Sequence, residues 1–394
     1  MIKKICILLT AILLLGVLAP VHPLLAADKI TVIESSAEAE FPDKLIFTLS
    51  AEGNVDITDV RLFYYVDRLS YAHVTSEVLI DIIPDRRITA EWAWDMRKTG
   101  GMPPGTNIQY WWSIRDGHGN TLETLPVTLS YDDARFEWER IRHSGITLYW
   151  HTGDMDFGEE LMSAAIEGLD RLYQSTGADI TDPIEIYIYA NSNDLRSAMI
   201  FPQTWTGGVA YPLYNCIAIG IESSNIEWGL RTIVHELTHL VIHRMTYNPY
   251  LDLPVWLDEG LAMYMEGPLT EVFTYYLGNA VENDTLISVR SLASPFSAYA
   301  DQSYLSYAQS HSLVSMLIDV YGREKMLELL TVMTGGIDYD EALEKVYGFN
   351  MDGLDEIWRD YIIKKYLEKN NPSILAKTGR PLPALTLFPA SGRV

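Results

Sequence analysis

Two histidines four positions apart, with a glutamate next to the first, constrain this chain more than any other feature of its sequence. His235, Glu236 and His239 form the motif HExxH inside an apolar segment, residues 230–241. An α-helix turns once in about 3.6 residues, so a helix here places both imidazoles on one face with the carboxylate beside them. Such a pair can bind one metal ion, and the carboxylate can reach a water on that ion. The segment is therefore predicted to be a largely buried helix that carries a metal site.

A catalytic zinc site normally has three protein ligands, so a further ligand is expected. His243 continues the four-residue spacing, but it lies roughly 12 Å along the helix from His235, and we interpret it as a surface or packing residue. Metzincins carry a glycine and a third histidine further along the motif. Ile242 and Met245 occupy those positions, which excludes that class.

Glu259 is the remaining candidate for the third ligand. Nineteen residues separate it from His239. That length is enough for the first helix to end, for a loop to turn, and for a second antiparallel helix to begin near Pro254.

The sequence WLDEGLA at residues 256–262 carries a family resemblance when it is taken with the HExxH motif. The two segments resemble gluzincin peptidases of the MA-like clan, above all the aminopeptidase N family and bacterial secreted peptidase MA-like domains. The resemblance implies one zinc ion per chain, bound by His235, His239 and Glu259. It also implies that Glu236 is the general base and acid of a zinc peptidase.

Two further residues take their roles from this resemblance. Glu266 occupies the place of a carboxylate that orients a zinc-bound histidine, although a solvated charge at a helix end is an equally simple interpretation. Tyr307 matches the tyrosine that stabilises the oxyanion, with Tyr304 as the alternative donor. An ordinary aromatic residue of an amphipathic helix would also explain Tyr307.

One departure from the family bears on substrate choice. Aminopeptidases of this clan carry a glutamate, in the run GAMEN, that holds the amino terminus of the substrate. The corresponding stretch here, residues 206–212, has no acidic residue. We therefore do not expect aminopeptidase activity, and we expect an open cleft in which an edge strand pairs with an extended peptide.

The start of the chain predicts export. Lys3 and Lys4 precede an apolar run and small residues near Ala26 and Ala27, which is the pattern of a cleaved signal peptide over residues 1–27. Cleavage would leave Cys216 as the single cysteine, so no intrachain disulfide is expected. The formal net charge of −24 argues against nucleic acid as a partner. No later apolar run is long enough for a membrane span.

The fold is predicted to be multidomain. Residues 28–131 contain short alternating segments that predict an all-β immunoglobulin-like or fibronectin-like sandwich. Its strands are expected near residues 30–34, 44–51, 57–66, 74–82, 88–94, 107–115 and 121–130. Four tryptophans in this region form either an exposed aromatic face for a sugar or polymer, or, more simply, part of the core: Trp92, Trp94, Trp111 and Trp112.

Residues 132–370 are predicted to be an α+β gluzincin, thermolysin-like peptidase domain. Strands at 146–150, 184–189 and 216–221 flank a helix at 157–175, and the last of them is expected to be the edge strand of a small mixed sheet. Helices at 269–279, 305–320, 323–334, 338–347 and 354–367 form a helical carboxyl-terminal lobe. The proline-rich stretch 371–394 is expected to be an extended tail.

The sequence therefore favours a secreted zinc metallopeptidase that acts on peptides or proteins. Two alternatives stay open. One is a non-catalytic surface-binding or polymer-binding protein with a degenerate peptidase lobe. The other is a zinc amidase that acts on cell-wall peptide. The oligomeric state is not predicted.

Overall fold

The computed structural model describes residues 30–370 except residues 71, 205 and 298. The predicted signal peptide, residues 1–27, and the predicted tail, residues 371–394, lie outside the described residues. The described chain begins with seven strands that are joined in one hydrogen-bonded sheet. They are β1 (Thr31–Glu40), β2 (Lys44–Val66), β3 (Ser76–Ile80), β4 (Asp85–Asp95), β5 (Thr106–Asp116), β6 (Thr121–Glu123) and β7 (Val127–Tyr131).

Strand β2 organises this amino-terminal region because it is 23 residues long. Its first half pairs with β1 and β4, and its second half pairs with β3 and β5. Alternate residues of the strand, such as Leu45, Phe47 and Leu49, are fully buried in the core. The prediction of two separate strands here was wrong, because residues 53–56, which include Asn54 and Asp56, are accommodated by a shift of register between Glu52 and Ile57.

The tryptophans of this region divide between the core and the outer face. Trp94 and Trp112 are buried, and Trp92 is half-buried with its ring stacked on that of the buried Phe47. Trp111 lies on the opposite face of β5 and stacks on Phe63 of the neighbouring strand, with ring centroids 5.7 Å apart. A continuous exposed face of all four tryptophans is therefore not formed.

A second sheet of five strands has the order β11, β12, β10, β9, β8. Strands β9, β10 and β12 are parallel to one another, and the two outer strands are antiparallel to their neighbours. The predicted edge position of residues 216–221 was wrong, because a further strand pairs outside them. The strands are β8 (Glu139–His143), β9 (Ile146–Trp150), β10 (Ile184–Tyr189), β11 (Gly208–Tyr211) and β12 (Cys216–Gly220).

The two faces of this sheet pack against different neighbours. Isoleucines of β10 and β12 point towards α1 (Met155–Thr176) and α3 (Ile226–Met245) and share a buried cluster with them. Tyr187, Tyr189 and Cys216 point the other way, into the cluster that contains the core of the amino-terminal strands. The sheet thus lies between the helices and the amino-terminal region. The short helix α2 (Ser192–Ser197) follows β10.

The rest of the described chain is helical, so the predicted β-rich amino-terminal region and helical carboxyl-terminal part are confirmed. Among residues 30–370, leaving out the three gaps, no helix is both long and apolar enough to span a membrane. The helices are α4 (Val255–Glu266), α5 (Glu271–Glu282), α6 (Val289–Leu292), α7 (Ala300–Tyr321), α8 (Arg323–Met333), α9 (Tyr339–Tyr347) and α10 (Met351–Asn370).

Candidate metal centre and active site

The candidate site lies where α3 packs against α4. His235 and His239 stand one turn apart on α3, and Glu259 is in the second turn of α4. Gly260 allows α4 to approach α7 closely, since a Cβ at this position would lie 2.5 Å from the backbone carbonyl oxygen of Ser310. The site is therefore built on three helices whose spacing is fixed by packing, as a rigid metal centre requires.

The three predicted ligands converge on one another. The Nε2 atoms of His235 and His239 are 3.1 Å apart, and Oε2 of Glu259 lies 3.5 Å from the first and 3.4 Å from the second. Ligand atoms that bind a tetrahedral zinc at about 2.0–2.1 Å lie roughly 3.3 Å from one another. The triangle formed by these atoms therefore has the size of three corners of a zinc site.

The hydrogen bonds around the triangle engage the outer nitrogen of each imidazole. Nδ1 of His235 lies 2.7 Å from Oε1 of Glu266, and Nδ1 of His239 lies 2.8 Å from Oδ1 of Asp258. A carboxylate at Nδ1 favours the proton there and leaves the lone pair of Nε2 directed inwards. Oε2 of Glu259 is buried and accepts no hydrogen bond. Two imidazole nitrogens and one carboxylate oxygen in this state fit a zinc ion.

The charges of the site also favour a cation. Burial lowers the pKa of the His235 imidazole, but the close carboxylates of Glu259 and Glu266 outweigh it and raise that pKa to about 9. Burial raises the pKa of Glu259, but the two imidazoles outweigh it and lower that pKa to about 2. The carboxylates thus attract positive charge to the centre of the triangle, which a divalent ion supplies.

Glu236 lies between the metal triangle and the edge strand β11. Its carboxylate is 8% exposed, and burial raises its pKa, although the nearby imidazoles of His235 and His239 oppose that effect. A Cβ at position 208 would overlap this carboxylate, so Gly208 is the residue that lets β11 pass beside Glu236. A carboxyl group with a raised pKa at the open edge of a sheet is suited to proton transfer.

Tyr307 and Tyr304, the two candidate oxyanion donors, lie in different surroundings on α7. Burial and the nearby negative charges of Glu259 and Glu236 raise the pKa of Tyr307. The side chain of Tyr304 is 38% exposed and packs against the rings of Phe273 and Tyr276. The structure therefore brings Tyr307, and not Tyr304, to the metal triangle. Helix α7 begins at Ala300, two turns before Tyr307, whereas the predicted helix began at residue 305.

Three residues near the triangle were not predicted as parts of the site. Asp258 contacts His239, and its second carboxylate oxygen, Oδ2, lies 2.9 Å from Nε2 of His243. Arg231 donates to Oε2 of Glu266 at 3.1 Å. The spacing of the basic residues Arg231, His239 and His243 along α3 was visible in the sequence. That spacing does not show which carboxylates these side chains face.

Comparison with known proteins agrees with the class that these residues indicate. The family model described as the Peptidase MA superfamily matches residues 164–364. The chain belongs to this superfamily, which places it among the metallopeptidases and confirms the predicted gluzincin resemblance. The matched range contains the HExxH motif, Glu259, Glu266 and Tyr307. No curated protein matches the chain.

Several solved structures are similar to parts of the chain. An M1 zinc metallopeptidase from Deinococcus radiodurans is 10% identical over 84% of this chain and 94% of its own, with a TM-score of 0.34. A β-1,3-glucan binding domain of carbohydrate-binding module family 56 is 17% identical over 26% of this chain and 98% of its own, with a TM-score of 0.16. OgpA from Akkermansia muciniphila is 7% identical over 26% of this chain and 27% of its own, with a TM-score of 0.22.

Proposed function

We propose that this protein is a zinc-dependent peptidase of the HExxH-plus-glutamate type. In this proposal His235, His239 and Glu259 hold one zinc ion per chain. The observation that carries it is the triangle of three ligand atoms 3.1–3.5 Å apart, one of which, Oε2 of Glu259, is buried without a hydrogen-bond donor. A bound zinc would supply Lewis-acid polarisation of the scissile carbonyl and activation of water.

Glu236 acts as the general base and acid in this proposal. It takes a proton from the attacking water and returns the proton to the leaving amine. Burial raises its pKa and so brings it closer to neutral pH, which suits a group that must both accept and release a proton. Its position beside β11 puts it next to any peptide aligned along that strand.

Tyr307 is the oxyanion donor in this proposal. Its raised pKa keeps the phenol protonated at neutral pH, so it can donate a hydrogen bond to the oxygen that gains negative charge.

Strand β11 supports the binding of an extended peptide, because it pairs with β12 on one side and ends the strand order on the other.

We also propose that the protein acts outside the cytoplasm. This part of the proposal is supported by the sequence of residues 1–27, with its two lysines, apolar run and small residues. The substrate is accordingly a peptide or protein in the exported space.

The test is a peptide-library digest with the purified full chain, analysed by mass spectrometry with and without a chelator. Glu236→Gln keeps the size of the side chain but removes the base, so turnover should fall by about 10²–10⁴-fold while bound zinc stays near one per chain. Glu227→Gln, in the exposed first turn of the same helix, is the matched control and should leave turnover unchanged.

Each outcome of this digest decides between functions. Cleavage that is abolished by the chelator and by Glu236→Gln supports the proposal. Activity that persists in Glu236→Gln would overturn the role of this residue. A wild-type protein that binds no zinc and cleaves no peptide would instead favour the non-catalytic alternative.

A further inference from the structure

Helices α3 and α4 present a ladder of alternating charges that extends beyond the metal triangle. Arg231, His235, His239 and His243 stand at four-residue intervals on α3, so they share one face of the helix. Each carboxylate of α4 lies between two of them, because α4 runs antiparallel to α3. Glu266 contacts Arg231 and His235. Glu259 contacts His235 and His239, and Asp258 contacts His239 and His243.

The far end of this ladder repeats the arrangement at the near end. At the near end Glu266 contacts Nδ1 of His235 through one oxygen and Arg231 through the other. At the far end Asp258 contacts Nδ1 of His239 through one oxygen, and its other oxygen lies 2.9 Å from Nε2 of His243, as an ion-pair contact without hydrogen-bond geometry. Each ligand imidazole is thus aimed by a carboxylate, and each carboxylate has a basic side chain on its other oxygen.

We propose that His243 is a further positioning residue, because it holds Asp258, the carboxylate that aims His239. The inference rests on the proposed zinc site. A carboxylate with two oxygens can rotate about its own axis, so a contact to one imidazole does not by itself fix its direction. A second contact from His243 restrains that rotation, which keeps Nε2 of His239 aimed at the metal.

His243 does not replace any of the three ligands in this scheme. His239, His243 and Asp258 also have donor atoms within 4.8 Å of one another and so form a second group that could hold an ion. Using Asp258 as a ligand would draw it away from Nδ1 of His239. The proposal therefore requires one ion per chain and excludes a second ion at this place.

The experiment measures metal binding as well as activity in the full chain. His243→Leu and Asp258→Ala remove the contacts, whereas His243→Gln and Asp258→Asn keep a hydrogen-bonding group at each place. His143→Leu, on the exposed edge strand β8, is the matched control. Zinc affinity is measured by competition with a coloured chelator, and the visible spectrum of the cobalt-loaded protein reports the geometry of the ligands.

We expect Asp258→Ala to weaken zinc binding by roughly 10–100-fold and His243→Leu to weaken it by a smaller factor, with altered cobalt spectra in both. The Gln and Asn variants should recover much of the affinity, and kcat should fall more than KM changes. Wild-type affinity and spectra in both loss variants would overturn the inference. So would a lowered melting temperature of the metal-free protein with unchanged zinc binding, or two ions per wild-type chain. A wild-type chain that binds no zinc would overturn the proposed function together with this inference.

Discussion

At the scale of single residues, the site depends on which polar atom of each side chain already contacts another side chain. The Nδ1 atoms of His235 and His239 each face a carboxylate, so only Nε2 of each ring is free for a metal. Glu259 contributes an oxygen without a hydrogen-bond donor. A buried acceptor left in this state costs free energy unless a cation satisfies it, which ties the stability of the site to its occupation.

Tyr307 offers a test at this scale because a second tyrosine lies one turn away. Tyr307→Phe removes only the phenol oxygen that faces Glu259, so we expect kcat to fall by about 10²-fold, with little change in KM and unchanged zinc content. Tyr304→Phe is the matched control, since its side chain packs against other rings at the surface. Steady-state kinetics on a cleaved peptide measure both. Equal losses in the two variants would contradict the assignment.

Much of the site could be predicted at the level of residues, and the part that could not has a physical reason. His235 and His239 follow from helical spacing within one segment, and Glu259 followed from a family pattern. The contacts of Asp258 and His243 depend on how far α4 is shifted along α3. That shift is set by packing between helices, such as the close approach at Gly260, and no local spacing reveals it.

At the scale of elements, the approach of α4 to α7 links the proposed metal ligand Glu259 to the proposed oxyanion donor Tyr307. Glu259 precedes Gly260, whose Cα faces the backbone of Ser310, and Tyr307 lies one turn earlier on α7. The proximity of Tyr307 to Glu259 therefore depends on close contact between these two helices.

Substitution of two helical glycines should have opposite effects. Gly260→Ala places a methyl group against a backbone carbonyl that cannot move cheaply, so we expect a loss of about 1–3 kcal/mol of stability and lower activity. At Gly278, on α5, an added Cβ meets only the ring of Tyr366 at 3.4 Å. Because alanine has a better helix propensity than glycine, Gly278→Ala should stabilise the protein by up to about 1 kcal/mol. Denaturant unfolding measures both changes. A neutral Gly260→Ala would show that the helices can separate without cost.

Two of the elements that the sequence patterns missed are strands that are too polar or too short to show a pattern of their own. Strand β8 has the sequence ERIRH and pairs only at the edge of its sheet, so four of its five side chains are charged or imidazole groups. Strand β11 is four residues long and half-buried throughout. Both are strands because a neighbouring strand offers backbone hydrogen bonds, which a local sequence cannot show.

At the scale of the whole molecule, the amino-terminal strands and the five-stranded sheet share one buried cluster. Tyr187 and Tyr189 of β10 lie in it, and the hydroxyl group of Tyr189 donates to Asp133 at 3.0 Å. Asp133 also accepts two hydrogen bonds from the guanidinium of Arg135, each at 2.7 Å, and one from its backbone N–H at 3.2 Å. Removal of the amino-terminal strands would expose this apolar face, so the two parts of the chain stabilise each other.

This shared core predicts that the full chain unfolds in one cooperative transition, which calorimetry detects as agreement between the calorimetric and van't Hoff enthalpies. Asp133→Ala should lower the free energy of unfolding in that single transition by roughly 2–3 kcal/mol. This loss is smaller than for a fully buried pair, because the Arg135 side chain is 34% exposed. Asp132→Ala, its exposed neighbour, should have little effect. Two separate transitions, only one of them shifted by Asp133→Ala, would mean that the parts fold independently and that their shared cluster adds little to stability.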